Sequence, residues 1–300
     1  KLVDSSLNNI TDNNLMNNFY GILLQGSQVN SLIRNNITHG PVIITPEHGG
    51  SNKTVRFGYG ILIRLCYYGS NTLRYNNING YRYNFGVEGY MDRYVQDVDA
   101  TNTVDGKPIY YWVNRRNRQI PSDAGYVAII NSTNIRAEGL DLKNNYQGIL
   151  IAYSNNTIIR QNNITNNYCG IWLDSFFVSS NNTIYHNNFI DNTNQVTFLG
   201  AESLENVWDN GYPSGGNYWS DYTGNDTHSG PCQNQTGSDG IGDTLYIVYE
   251  NNKDNYPLMG MFSDFNTTSE HHVQTICNST ISDFRFNSTA ISFDVTGENG

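Results

Sequence analysis

The densest set of hard oxygen donors in the sequence is Ser238-Asp239-Gly240-Ile241-Gly242-Asp243, with Asp221 and Asp226 upstream. Ca²⁺ takes about six to eight oxygen ligands from flexible loops, and Asp-Gly-x-Gly-Asp supplies carboxylates and reachable carbonyls in a short span. Asp221, Asp226, Asp239 and Asp243 are therefore the candidate metal ligands, with Ca²⁺ as the candidate cofactor. Gln235 and Gly237 stand where a loop of the Asp-x-Asn-x-Asp-Gly type would carry further acids. An ordinary Asp-Gly turn closing a larger structure is the competing reading.

Acid–base chemistry has fewer candidates. Inverting hydrolysis of a sugar linkage needs two carboxyls about 6.5 to 9.5 Å apart, and Asp174, Asp191 and His186 are the groups near the most regular sequence that could serve. No paired Asp-Asp, Gly-His-Gly or Arg-x-Lys accompanies them, so no catalytic residue is assigned. Copper would need clustered Met or His. His39 and His48 share one loop and His271-His272 are adjacent, but the four methionines are scattered. Aromatic side chains crowd residues 67–112, and exposed rings stack on sugars whereas buried ones pad a core. Tyr81, Tyr83, Tyr90, Tyr110 and Trp112 are the candidate glycan-stacking residues.

The elements that must position these groups are repeats. Asn134-Ile-Arg-Ala-Glu-Gly-Leu-Asp-Leu-Lys-Asn-Asn-Tyr-Gln-Gly148-Ile-Leu-Ile is answered 22 residues on by Asn156-Thr-Ile-Ile-Arg-Gln-Asn-Asn-Ile-Thr-Asn-Asn-Tyr-Cys-Gly170-Ile-Trp-Leu. A third copy begins at Asn182, 26 residues after Asn156. The same phrase opens the chain at Asn8-Asn9-Ile10-Thr11 and returns at Leu32 to Thr38, Gly60 to Ile63 and Leu73 to Ile78. A period in the low twenties marks a solenoid. Runs of three to five β-branched or aromatic residues are too short for helices, and Asn or Gly between them suits left-handed corners. The reading is a parallel β-helix with Ile, Leu and Val stacked inside and a hydrogen-bonded asparagine ladder at a corner. Ile158, Ile164, Ile171 and Leu173 should point in, Asn162 should sit at the corner, and Asn163 should face solvent.

This coil spans residues 1–206, with a loop insertion at 40–57 and an irregular, Tyr-rich excursion at 81–125 that bears a hairpin at Asp105-Gly106. Residues 207–262 form a Trp/Gly/Asp-rich closing block. Residues 263–300 carry the last strands, with Ile281, Phe284 and Phe286 facing Ile291, Phe293 and Val295 as a hairpin or partial sandwich.

At 300 residues with a net charge of −10, the chain has a sizeable core and no basic stripe for nucleic acid. No apolar run is long enough for a membrane helix. Residue 1 is Lys, which reads as a processed piece. Sequons begin at Asn9, Asn36, Asn52, Asn131, Asn155, Asn163, Asn181, Asn225, Asn234, Asn266, Asn278 and Asn287, a density that suits an exported glycoprotein. Cys66, Cys169, Cys232 and Cys277 are too dispersed for a CxxC metal motif. In an oxidising compartment they allow two disulfides, and Cys232 with Cys277 is the pairing expected.

The repeats, the segment Asn102-Thr-Val-Asp-Gly-Lys-Pro-Ile-Tyr-Tyr-Trp112 and the closing block Trp208-Asp-Asn-Gly-Tyr-Pro-Ser-Gly-Gly-Asn-Tyr-Trp-Ser-Asp221 together resemble archaeal surface proteins of the NosD-like β-helix family, also described as carbohydrate-binding and sugar-hydrolase (CASH) repeats. The resemblance covers about residues 1–260. It implies an all-β, right-handed parallel β-helix on an exported protein, and a namesake that assists copper-site assembly in nitrous oxide reductase. The expectation is a structural, extracellular cell-surface protein: a subunit of a layer, sheath or filament, N-glycosylated and Ca²⁺-stabilised, partnered by copies of itself or other surface proteins. The alternatives are a carbohydrate-binding module, a polysaccharide lyase or hydrolase, and a copper-assembly factor.

Overall fold

Asn117, Asn134, Asn156 and Asn181 take φ values of 54°, 54°, 52° and 56°, the left-handed region that asparagine enters more easily than most side chains. Each turns the chain at the same place on successive turns, so strands of a few residues stack instead of running on. The computed structural model describes residues 1–40, 42–44, 53–66, 70–174, 179–200, 205–266, 272–277, 280–286 and 291–296. Within them the strands pair in parallel, one turn on the next, as a parallel β-helix.

There are two coils. The first has one wall of Leu2–Val3, Tyr20–Gln25, Tyr59–Arg64 and Tyr83–Glu88, a second of Asn9–Thr11, Ser31–Ile33, Thr72–Arg74 and Asp97–Val98, and a third ending in Asn77–Asn79 and Thr103–Val104. The second has a wall of Lys107–Val113, Tyr126–Ile130, Gln147–Ala152, Cys169–Asp174 and Asn194–Leu199, another of Arg116–Gln119, Thr133–Glu138, Ile158–Arg160 and Thr183–Tyr185, and a third from Asp141–Lys143 to Tyr218–Trp219.

The expected hairpin at Asp105-Gly106 joins them. Thr103–Val104 pairs antiparallel with Lys107–Val113, so the third wall of the first coil continues into the first wall of the second as one nine-stranded sheet. Side chains of that sheet alternate between two cores. Val127, Ile129, Ile149, Ile151, Ile171 and Leu173 enter the second coil, while Tyr126, Ala128, Ile130, Leu150, Ala152 and Trp172 pack with Phe85, Val87 and Tyr94 of the first. A wall buried on both faces has no polar side, and its strands are continuous apolar runs for that reason. The excursion at 81–125 is thus the junction of two coils: it completes the first through Tyr83–Glu88 and Asp97–Val98 and starts the second.

Asparagine ladders run along the corners. Asn162 donates its backbone N–H and its Nδ2 to Asn187 Oδ1 at 3.2 and 2.8 Å, and Asn187 repeats this with Asn217 at 3.1 and 2.9 Å. The Asn187 amide also reaches the Ile159 carbonyl at 2.9 Å, so each buried amide is satisfied on both sides. Asn162 is fully buried and Asn163 exposed, as expected. Ile164, Ile171 and Leu173 are buried, but Ile158 is not: Ile159 points in. Ile158 is in register with the exposed Arg136 and with Thr183, 25 residues on. The third copy therefore stacks one residue earlier than its Asn-Thr lettering suggests.

The closing block caps the second coil. Trp208 and Trp219 are buried in its core, and Phe189, Trp219 and Tyr246 stack at 4.3 Å per step. Strand Asn252–Asp254 places Asn252 and Asp254 at the ends of two ladders. Beyond it, Met261–Asn266 pairs antiparallel with His272–Cys277, and Thr280–Phe286 with Ile291–Thr296, the second being the hairpin expected. The insertion at 40–57 carries a hairpin of Val42–Ile44 and Lys53–Val55. Residues 45–52, which include His48 and Asn52, lie outside the described residues.

Candidate functional site

The corner residues Asn144, Asn166 and Asp191 stack in register on successive turns of the second coil, each with positive φ. Together with Asn167 and Thr193 they form one side of a cleft of about 380 Å³, and Val55, Arg56, Arg82 and Tyr83 of the first coil form the other. The Tyr83 hydroxyl lies 3.1 Å from Thr193 Oγ1 and ties the coils together. A seam of rings continues along the junction: Tyr20 stacks on Tyr59 at 5.1 Å, Tyr146 on Tyr168 at 4.7 Å, and Tyr83 touches both pairs.

The electrostatics are settled within the wall. Arg56 pairs with Asp105 at 2.8 Å, and Asp105 also accepts from the Gly80 N–H and Asn144 Nδ2. Burial acts to raise the Asp105 carboxyl, but these donors and the Arg56 charge outweigh it and hold its pKa below the ordinary value. Arg82 sits 5.2 Å from the Tyr83 ring centre. The exposed Asn166 amide, Arg82 and Asp191 remain to meet a ligand. They present both donors and acceptors, which suits a polyhydroxyl compound.

The structure disperses the residues singled out from the sequence. Asp226 accepts the backbone N–H groups of Asp239 and Gly240 at 3.1 and 2.8 Å. Asp239 accepts those of Ile241 and Gly230. Asp243 accepts from Thr227 and His228, and the Thr227 hydroxyl is the largest influence holding its carboxyl far below the usual range. Asp221 accepts from Tyr246 and Gln195. Each of the four is a staple for the block's own backbone or side chains. No group of three or more His, Cys, Asp or Glu able to hold a metal occurs among the described residues.

Asp174 is buried near Tyr94, whose pKa is raised by burial first and by Asp174 second. His186 is buried, donates to the Ser214 carbonyl at 2.7 Å and stacks on Phe262. Asp191 lies in the cleft. The three do not meet as an acid–base set. His39 bonds the Gly40 carbonyl.

Of the proposed stacking residues, Tyr81 is fully buried, Tyr83 lines the cleft, and Tyr90 lies under Arg93 at 3.7 Å. Tyr110 and Trp112 pack half-buried against the second core. They form no common platform, because Lys107–Val113 turns Tyr110 and Trp112 toward the second core and Tyr111 toward the first. Cys66 and Cys169 are buried free thiols, and burial pushes Cys169 up to about 12. Cys232 is an exposed free thiol, and the Cys277 side chain expected to pair with it lies outside the described residues. Sequence reasoning missed Asn144, Asn166, Arg56 and Arg82, and only the corner repeat Lys-Asn-Asn-Tyr and Thr-Asn-Asn-Tyr pointed to the first two.

Fold and cleft define an all-β solenoid protein with a polar groove between two coils. The family model described as "Periplasmic copper-binding protein (NosD)" matches residues 50–224, more than half of the chain, and the chain belongs to that family. A comparison with curated proteins found no match. Among the described residues no helix is long and apolar enough to cross a membrane.

Proposed function

We propose that the chain is an exported structural β-helix of the cell surface that holds carbohydrate in its inter-coil cleft without cutting it. The observation that carries this is the cleft's chemistry: two corner amides, Asn144 and Asn166, the exposed Arg82 and one carboxylate, Asp191, around a volume of about 380 Å³. Glycoside cleavage by the two-carboxylate route requires one acid kept protonated. The carboxylate joined to the cleft wall, Asp105, is held ionised instead.

Titration calorimetry against neutral and uronate oligosaccharides tests the reading. Arg82→Ala with Asn166→Ala should weaken binding about tenfold or more, the loss of one or two hydrogen bonds, with an unchanged circular dichroism spectrum. Release of reducing ends by the native chain would overturn the non-catalytic part, and no affinity for any glycan would overturn the ligand.

In this proposal the scaffold is the subunit of a layer, sheath or filament, N-glycosylated on outward sequons. Asn9, Asn36, Asn131, Asn163, Asn181, Asn225 and Asn234 are all exposed, so sugars there leave the buried ladders intact. The family's printed name supports export to the periplasm or surface. It also names copper, for which the described residues assemble no donor cluster, and copper is left out of the proposal.

A further inference from the structure

Five arginines of this chain are neutralised from another turn. Arg34, Arg56, Arg64, Arg74 and Arg160 pair with Asp12, Asp105, Glu88, Asp97 and Glu138 at 2.5 to 2.8 Å, and Arg82 and Arg93 lie over tyrosine rings. Arg115, Arg116, Arg118 and Arg136 do neither: all four are exposed, and no acid or ring partner is found for them among the described residues. They also sit together. Arg116–Gln119 is the outermost strand of its wall, with Arg118 in register with Ile135 and Gln119 with Arg136. Four guanidinium groups on two adjacent strands and the turn before them repel one another in a protein whose net charge is −10.

Inward-pointing charge on an edge strand keeps stray strands from adding. That reading covers Arg116 and Arg118, which share a register with Thr133 and the inward Ile135. It leaves out Arg115 in the preceding turn and Arg136, which faces outward on the next strand.

The opposite end of the same coil is acidic. Residues 205–254 contain eight carboxylates and one lysine. The two ends are aligned as well. The corner column Asn117, Asn134, Asn156 and Asn181 begins between Arg116 and Arg118, and the Asn181 N–H donates to the Glu205 carbonyl at its far end. Glu250 lies in the hairpin leading to Asn252, the rung above Asn206. Glu205 and Glu250 are exposed. A second copy shifted along the coil axis therefore sets its arginine edge over Glu205 and Glu250 of the first.

We propose that copies of this chain stack head to tail along the second coil, the Arg115, Arg116, Arg118 and Arg136 edge of one docking on the Glu205 and Glu250 corner of the next. A head-to-tail contact of this kind leaves both outer ends open and builds a linear array. This deepens the structural-subunit reading and rests on it.

The test is sedimentation velocity on the full chain at rising concentration, in about 10 mM and about 1 M salt, where the Debye length falls from about 30 to about 3 Å. The native chain should form oligomers at low salt that dissociate at high salt. Arg116→Glu with Arg118→Glu should abolish them, as should Glu205→Arg with Glu250→Arg, each variant keeping the native circular dichroism spectrum. Mixing the two variants should restore assembly, because each edge again meets the opposite charge. A native chain that is monomeric throughout overturns both the interface and the array. Assembly unaffected by either variant overturns this interface and leaves the array standing. Monomers that bind polygalacturonate through the same arginines overturn self-docking in favour of an anionic polysaccharide.

Discussion

Asp254 accepts the backbone N–H of Asn217 at 2.7 Å, and with that bond a carboxylate ends the ladder that Asn162 and Asn187 begin. The Trp219 indole and the Tyr256 N–H also donate to it. Burial pushes the Asp254 carboxyl up to about 7, against the pull of those donors. A folded pKa above the ordinary 3.8 means that the folded state holds the proton more tightly. The stabilising contribution is full below about pH 4 and is lost as pH rises through about 7, on the order of 4 kcal/mol in all. Denaturant unfolding of the native chain and of Asp254→Asn between pH 4 and 8 checks this. The difference between the two curves should shift steadily in favour of the variant as pH rises, and a pH-independent difference would sink the assignment. Asp243, held low by Thr227 and His228, acts in the opposite sense and only at more acid pH.

Removing a middle rung should cost far more than removing an outward asparagine. Asn187→Ala removes the acceptor of the Asn162 N–H and of one Asn162 Nδ2 hydrogen, and the amide donor to the Ile159 carbonyl, in a site closed to water; the other Nδ2 hydrogen keeps its bond to the Ala137 carbonyl. At about 1 to 3 kcal/mol for each buried unmet group, partly relieved by relaxation, a loss of about 3 to 5 kcal/mol follows. Asn9→Ala, on the exposed face of its strand, should stay within about 0.5 kcal/mol. Urea denaturation of both variants decides it, and equal losses would show that the ladder contributes nothing beyond local turn preference.

The period, the short strands, the asparagine ladder and the outward face of Asn163 were all legible in the residues, because each repeats and a stacked coil demands repetition. The division into two coils was not. Tyr126–Ile130 and Gln147–Ala152 have the same apolar runs whether the far face meets a second coil or padding loops, and only the pairing across Asp105-Gly106 decides which. The cleft was hidden for the same reason: Arg82 and Asn166 are distant in sequence and meet only where the coils abut. The aspartates of the closing block were found, but their partners were not. A backbone N–H that captures a carboxylate leaves no mark on the sequence.

The glycine of each Gly-Ile-Leu strand is fixed by the turn above it. A Cβ at Gly170 would lie 2.4 Å from the Gln195 carbonyl oxygen, and one at Gly148 would lie 2.7 Å from the Gly170 carbonyl oxygen. Neither obstacle can swing away, since each carbonyl belongs to a neighbouring strand. Gly148→Ala and Gly170→Ala should each cost about 2 to 3 kcal/mol through overpacking. At Gly139 nothing lies within 4 Å of a Cβ, and only its φ of +68° opposes a side chain, so Gly139→Ala should cost about 1 to 2 kcal/mol. Thermal melts of the three variants should place Gly139→Ala highest. A reversed order would mean that the coil relaxes along its axis more readily than its hydrogen-bonded walls suggest.

Trp219 couples the capping stack to the ladder's end. Its ring lies between Phe189 and Tyr246, 4.3 Å from each, and its Nε1 donates to Asp254 at 2.9 Å. Trp219→Phe keeps a ring in the stack and removes the donor. At pH 8 Asp254 is ionised, a hydrogen bond to a charged group is worth about 1.5 to 3 kcal/mol, and its loss should be felt in full. At pH 5 the carboxyl carries its proton and the same substitution should cost less. In the Asp254→Asn background this pH dependence should vanish. The cycle of two single variants and one double variant, measured at both pH values, isolates the coupling. An interaction energy at pH 8 below about 0.5 kcal/mol, the margin within which independent sites add, would show that the stack alone holds the cap and that the indole N–H does not secure Asp254.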